Sequence, residues 1–219
     1  EDADLEQGFP GNAVVDVTFK VTEENALAII YNAKADKTTT FNMTNHSYFN
    51  LNGHKSGSVL HHRMQLLSDA FTPADAQSIP TGEVCSVDGT PMDFRSTKEL
   101  GAEIDAAYEP LILGNGYDHN WVLNAKGDIS RKCVSLESPK TGIVLDVYTN
   151  EPGIQFYAGN FLDGTVKGKR GVVYGHRASV CLETQKYPDT PNKPEWPSVL
   201  LKPGEKYDSH CIYKFSVKK

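Results

Sequence analysis

Positive charge is in short supply in this sequence. Its 219 residues carry 22 Lys and Arg against 28 Asp and Glu, a formal net charge of −6. No summed positive field is available to hold a nucleic acid backbone or an anionic membrane, so neither is expected as a partner. Long apolar runs are also missing: no stretch approaches the roughly 18 residues that a membrane-spanning helix needs. Cysteine is sparse. Cys85, Cys133, Cys181 and Cys211 lie tens of residues apart, with no CxxC and no Cys/His pair at zinc-ligand spacing, so no structural metal is expected. The sequence has no GxSxG elbow, no HExxH and no P-loop, and Gly114-Asn115-Gly116 has no third glycine at dinucleotide spacing. Nucleophilic-serine, zinc and nucleotide chemistry thereby lose their usual supports. His61 and His62 are neighbours, so on a strand they point to opposite faces and cannot share a metal; they read as scattered surface histidines.

The N-terminus, Glu1-Asp2-Ala3-Asp4, has no start methionine, basic n-region or apolar h-region and reads as a mature or cut chain. Two glycan acceptors, Asn42-Met43-Thr44 and Asn45-His46-Ser47, fall in a segment expected to line a pocket, which glycans would block. With the dispersed cysteines, this points to a reducing, cytoplasmic setting. No repeat, low-complexity tract or composition shift marks a linker, so residues 1–219 read as one domain.

A hydrophobic fraction of 39% with 10% aromatic residues is enough for a sizeable core. Val15, Val17, Phe19 and Val21 alternate with Asp16, Thr18 and Lys20, and Leu27, Ile29 and Tyr31 repeat the pattern, with a hairpin turn at Glu23-Glu24-Asn25. Further strands are expected at 38–44, 59–67, 118–124, 132–137, 143–149, 154–159, 178–185 and 209–217, separated by turns rich in Gly and Pro. Many short strands with such punctuation predict an all-β, antiparallel sandwich or barrel. One short peripheral helix is expected where Ser96-Thr97-Lys98-Glu99 resembles a capping box ahead of Leu100, Ile104 and Ala107. The proline-rich Tyr187–Pro197 stretch reads as a rigid loop leaving a strand, with polyproline bait for a partner domain as the other reading.

Polar and aromatic residues concentrate in four strand-like segments: Thr44-Asn45-His46-Ser47-Tyr48-Phe49-Asn50-Leu51, Tyr117-Asp118-His119-Asn120, Gln155-Phe156-Tyr157-Ala158-Gly159-Asn160 and Leu182-Glu183-Thr184-Gln185. Polar side chains at strand centres are expensive to bury without partners. Four such segments with one chemistry point to a cleft for an equally polar ligand. In the last strand Cys181, Glu183 and Gln185 share one face and Val180, Leu182 and Thr184 the other, so Glu183 can enter the cleft while its neighbours pack. Carboxylates, an imidazole, amides and aromatic rings are what a sugar pocket needs.

These segments, with Gly8-Phe9-Pro10-Gly11-Asn12, Thr149-Asn150-Glu151-Pro152-Gly153-Ile154, Pro188-Asp189 and Asn192, resemble the aldose 1-epimerase (galactose mutarotase) family. The resemblance implies a large antiparallel β-sandwich, often called a supersandwich. The implied reaction interconverts the α and β anomers of free hexoses, galactose or glucose, without a cofactor or metal. It implies His46 as the general acid on the ring oxygen and Glu183 as the base on the anomeric hydroxyl. Asp118, Gln155 and Asn45 are implied in binding the sugar. The mutual field of His46 and Glu183 should help keep both charged near neutral pH. The family carries about another third of chain upstream, with an arginine and a second histidine that have no counterpart here. The sequence thus matches the family's C-terminal two thirds, and a complementary N-terminal polypeptide is expected as a partner. A noncatalytic sugar-binding relative or fragment, a hexose-phosphate epimerase and a glycosidase using Asp118 and Glu183 are the competing functions.

Overall fold

The computed structural model describes residues 1–218. Fourteen strands follow in chain order: β1 Ala13–Val21, β2 Ala26–Ala35, β3 Thr39–Thr40, β4 Arg63–Leu66, β5 Ala70–Thr72, β6 Cys85–Ser86, β7 Lys98–Glu99, β8 Asp118–Val122, β9 Val134–Glu137, β10 Ile143–Thr149, β11 Gly153–Tyr157, β12 Cys181–Gln185, β13 Leu200–Leu201 and β14 Tyr207–Val217. A seven-stranded antiparallel sheet runs β1-β2-β14-β10-β9-β4-β7, and a five-stranded one runs β12-β11-β8-β5-β6. The pair β3 and β13 stands apart. The expected antiparallel β-sandwich is present.

The alternation in the sequence sets which face packs. In β2, Ile29, Tyr31 and Ala33 are buried while Ile30, Asn32 and Lys34 are turned outward to differing degrees. Across the core, Trp121 and His119 of β8, Ile154 and Phe156 of β11, and Leu182 and Thr184 of β12 all point inward. Phe94, Tyr117, Trp121 and Phe156 form one aromatic cluster, with Phe94 edge-on to Phe156 at 5.8 Å and Tyr117 stacked on Phe156 at 5.3 Å. The polar atoms of this cluster are satisfied: Trp121 Nε1 donates to the Met92 carbonyl and Tyr117 Oη to that of Pro91, as buried polar groups require. The opposite face of β8, β11 and β12 is left for the polar residues.

The turn at Glu23–Asn25 is where the sequence places it, closed by Thr22 N–H to the Ala26 carbonyl, with Asn25 at φ 58°. Several expectations are corrected. The helix expected from Ser96 is absent. Lys98 and Glu99 instead pair with Met64 and Arg63 as β7, and Leu100 N–H and Gly101 N–H donate to the carbonyls of His62 and Leu60. Tertiary pairing with a neighbouring edge overrides a weak local helix signal. The one α-helix among the described residues is α1, Glu109–Leu113, opened by Pro110 in its first turn. The 38–44 strand shrinks to β3, and 59–67 to β4 after a turn in which His62 N–H donates to the Val59 carbonyl. His61 is exposed as expected, but His62 is buried and is not a surface histidine. The Tyr187–Pro197 stretch is a packed loop, with Tyr187 and Trp196 both buried and edge-to-face at 5.4 Å.

One face remains uncovered. Val17 and Phe19 of β1 pair with Tyr31 and Ile29 of β2 and lie on the same side of the sheet. Tyr31 and Ile29 are buried, whereas Val17, Phe19 and Val21 are exposed.

Candidate active site

Strand register assembles the site. Pairing puts Asp118, Tyr157 and Cys181 in one row across β8, β11 and β12, and Asn120, Gln155 and Glu183 in the next. All six point away from the aromatic core, because side chains two apart on a strand share a face. Gln155 Nε2 donates to Asp118 Oδ1 at 2.8 Å, a diagonal bond between the rows. His46 enters from above on the Thr44–Leu51 segment. That segment is an extended loop instead of the expected strand, tied to the sheet by Phe49 bridging Val180. His46 Nε2 lies 3.3 Å from Glu183 Oε1, with the imidazole half exposed and the carboxylate buried.

The pocket so formed is about 380 Å³ and is lined by His46, Tyr48, Asp118, Gln155, Tyr157, Glu183, Gln185 and Pro188. Tyr48 lies 5.0 Å from His46 ring to ring, and Tyr157 stacks on Phe161 at 6.3 Å, so aromatic faces flank the polar floor. Tyr48, Tyr157 and Gln185 stood in the polar segments without an assigned role; Pro188 had no signal beyond its place after the last strand. A larger groove of about 680 Å³ lies on the other side of Tyr48, but it is apolar and holds no carboxylate. The few convergent hydrogen-bonding groups that orient a small polar ligand are in the smaller one.

Of the five residues singled out from the sequence, His46, Asp118, Gln155 and Glu183 converge here. Asn45 does not line the pocket; its Oδ1 accepts the Ser47 N–H at 3.2 Å and shapes the loop that carries His46. His119, next to Asp118, faces the core, and its Nδ1 accepts the Asp118 N–H at 3.1 Å.

Burial governs the electrostatics. The Glu183 carboxyl is pushed up to about 7, first by burial, with His46 pulling it down and the charge of Asp118 adding to the rise. The field of His46 acts in the expected direction, favouring the ionised carboxylate, but desolvation outweighs it and the net shift is upward. Asp118 is raised as well, by burial acting against the Gln155 hydrogen bond and His46. A carboxyl held near neutrality beside an imidazole is suited to taking up and releasing a proton around neutral pH. Gln155 Oε1 and Asn120 Oδ1 are buried without partners. The Gln155 oxygen is thus an acceptor with no donor from the protein, on a residue that lines the pocket.

The sequence profile described as aldose 1-epimerase matches residues 1–214. The chain belongs to the aldose 1-epimerase family. It is 46% identical over 214 residues to the galactose mutarotase of Bos taurus, covering 98% of this chain and 60% of that protein. It is 42% identical over 215 residues to the aldose 1-epimerase of Escherichia coli K12, covering 97% and 61%. Among solved structures, an aldose epimerase homologue from C. elegans superposes with a TM-score of 0.88 at 34% identity, over 99% of this chain and 64% of that one. Galactose 1-epimerase from Lactobacillus acidophilus gives 0.86 at 30% identity, over 100% and 61%. The chain thus spans about 60% of the length of the curated relatives it matches.

Proposed function

We propose that this family member is an aldose 1-epimerase, an isomerase interconverting the α and β anomers of free hexoses such as galactose and glucose, without a cofactor. The observation that carries this reading is Glu183, a buried carboxyl raised to about 7 and facing the His46 imidazole on the floor of a sugar-sized polar pocket. The names of the relatives, galactose mutarotase and aldose 1-epimerase, support it.

Glu183 takes the proton of the anomeric hydroxyl while His46 donates one to the ring oxygen. The C1–O5 bond breaks and the open aldehyde forms. Rotation about C1–C2 turns the other carbonyl face toward the same pair, and the two transfers run in reverse to close the opposite anomer. Acid and base acting together avoid both a free alkoxide and a free oxocarbenium ion. The sugar has to enter between His46 and Glu183, so their 3.3 Å contact opens on binding. The half-exposed imidazole on its loop is the partner free to move. Asp118 and Gln155 hold sugar hydroxyls as a bonded pair, and Asn45 acts from beside His46 by setting the loop. Polarimetry on freshly dissolved α-galactose tests the reading: accelerated mutarotation is expected, and a rate equal to buffer would overturn it.

A hexose-phosphate epimerase is disfavoured because no Lys or Arg among the described residues lines the pocket to seat a phosphate. A glycosidase would release monosaccharide from an aryl glycoside, and a noncatalytic sugar binder would bind galactose without changing its mutarotation rate. The four cysteines are unpaired, which supports a reducing, cytoplasmic setting.

A complementary polypeptide of the same protein is the second partner, completing the single mutarotase-like domain. Its support is the free edge of β1 with the exposed row Val17, Phe19 and Val21, an apolar strip that soluble proteins keep covered. Denaturing electrophoresis and size exclusion should reveal a second band required for activity. A monodisperse 24.1 kDa species, fully active alone, would overturn this.

A further inference from the structure

Cys181 has no task in the proton transfers, yet the β12 register places it on the same face as Glu183, two residues away, beside His46. One ligand atom from each of His46, Cys181 and Glu183 can be chosen so that all three lie within 4.8 Å of one another. The His46 and Glu183 atoms are 3.3 Å apart. Tetrahedral zinc with bonds of about 2.0–2.3 Å to nitrogen, oxygen and sulfur sets its ligands about 3.5 Å apart. Cys181 and Glu183 are buried on a rigid strand and His46 rides a half-exposed loop, so the imidazole is the arm that can adjust to close the triangle. One nitrogen, one sulfur and one carboxylate oxygen form a donor set matched to borderline-soft Zn²⁺ or Co²⁺ and poorly matched to Mg²⁺ or Ca²⁺.

We propose that His46, Cys181 and Glu183 form an inhibitory binding site for a thiophilic divalent cation, occupied in competition with the sugar. Binding forms a metal–sulfur bond and sends the thiol proton to solvent, with no change of oxidation state. Three protein ligands leave a fourth position for water. The bound cation takes the acceptor oxygen and the donor nitrogen together, so a coordinated site cannot run either proton transfer. The inhibitory consequence rests on the epimerase reading; the cation site does not.

Titration with Co²⁺ tests the site without any activity. A thiolate-to-cobalt charge-transfer band in the near ultraviolet should saturate at one ion per chain, and Zn²⁺ should bleach it. Cys181→Ser should abolish the band and weaken cobalt binding at least ten-fold, while Cys85→Ser, which alters a thiol outside the pocket, should leave both unchanged. Circular dichroism checks that each variant is folded, and if Cys181→Ser is not, Cys181→Ala takes its place. In the wild type, galactose should raise the apparent Co²⁺ dissociation constant in proportion to its concentration. No band, or binding of equal strength in the Cys181 variant, overturns the site. A site that binds Co²⁺ but ignores galactose overturns the competition. Mutarotation that is absent from the metal-free protein, with the band intact, would count against the epimerase reading alone.

Discussion

Gly153 of β11 lies directly against Asn120 of β8: a Cβ at position 153 would stand 2.4 Å from Asn120 Oδ1 and 2.8 Å from the Tyr187 ring. The demand is one of space, since two strands and the loop over the pocket close on this point. It ties the row of Asn120, Gln155 and Glu183 to a residue with no side chain of its own. Gly153→Ala should destabilise the protein by about 1–3 kcal/mol, the usual cost of overpacking. Urea unfolding would measure it, and an unchanged midpoint would show that Tyr187 and its loop move aside freely.

Glu183→Gln keeps the shape of the side chain and removes the proton acceptor. Mutarotation should fall by roughly 10² to 10⁴ while the fold is retained. His46→Asn should act in the same direction, with a smaller loss where water replaces the donor. Polarimetry reads both, and near-normal turnover by the Gln variant would exclude Glu183 as the base.

Asp118→Asn tests binding separately from proton transfer. Burial already works against the charge of Asp118, so neutralising it should leave the melting temperature close to wild type. Losing a charge-assisted hydrogen bond of about 1.5–3 kcal/mol to a sugar hydroxyl should raise KM roughly ten- to a hundred-fold. An unfolded variant would assign Asp118 to structure.

His119 makes stability depend on acid. Burial holds its imidazole down at about 4, against an ordinary 6.5, and its Nδ1 accepts the Asp118 N–H only when unprotonated. Its folded value is depressed, so between these limits the unfolded chain binds the extra proton. The stabilising contribution is complete above about 6.5, declines as pH falls and is gone below about 4, a total of roughly 3 kcal/mol at about 1.4 kcal/mol per pKa unit. Unfolding free energies at a series of pH values should show this slope, and His119→Phe should flatten it. An equal slope in the variant would place the acid sensitivity elsewhere.

Much of the fold was legible in the sequence wherever local pattern and tertiary demand agree. The alternation in β2, the Glu23–Asn25 turn and the opposed faces of β12 follow from the two-residue period of a strand, which any packed sheet has to respect. The same period puts Glu183 in the cleft and Leu182 in the core, and the family resemblance alone points to His46, Asp118, Gln155 and Glu183. What the sequence could not decide were facts of register and burial. Ser96–Glu99 carries a helix signal, yet the open edge of β4 claims Lys98 and Glu99 for a sheet. Asn45 and His46 are chain neighbours, but loop geometry turns one onto Ser47 and the other onto Glu183. Cys181 joins His46 at the site only because β12 and the Thr44–Leu51 loop meet across more than a hundred residues of chain. The pKa of Glu183 was set the same way: adjacent charge favours its ionised form, but the sandwich removes the carboxyl from water, and at this depth desolvation is the larger effect.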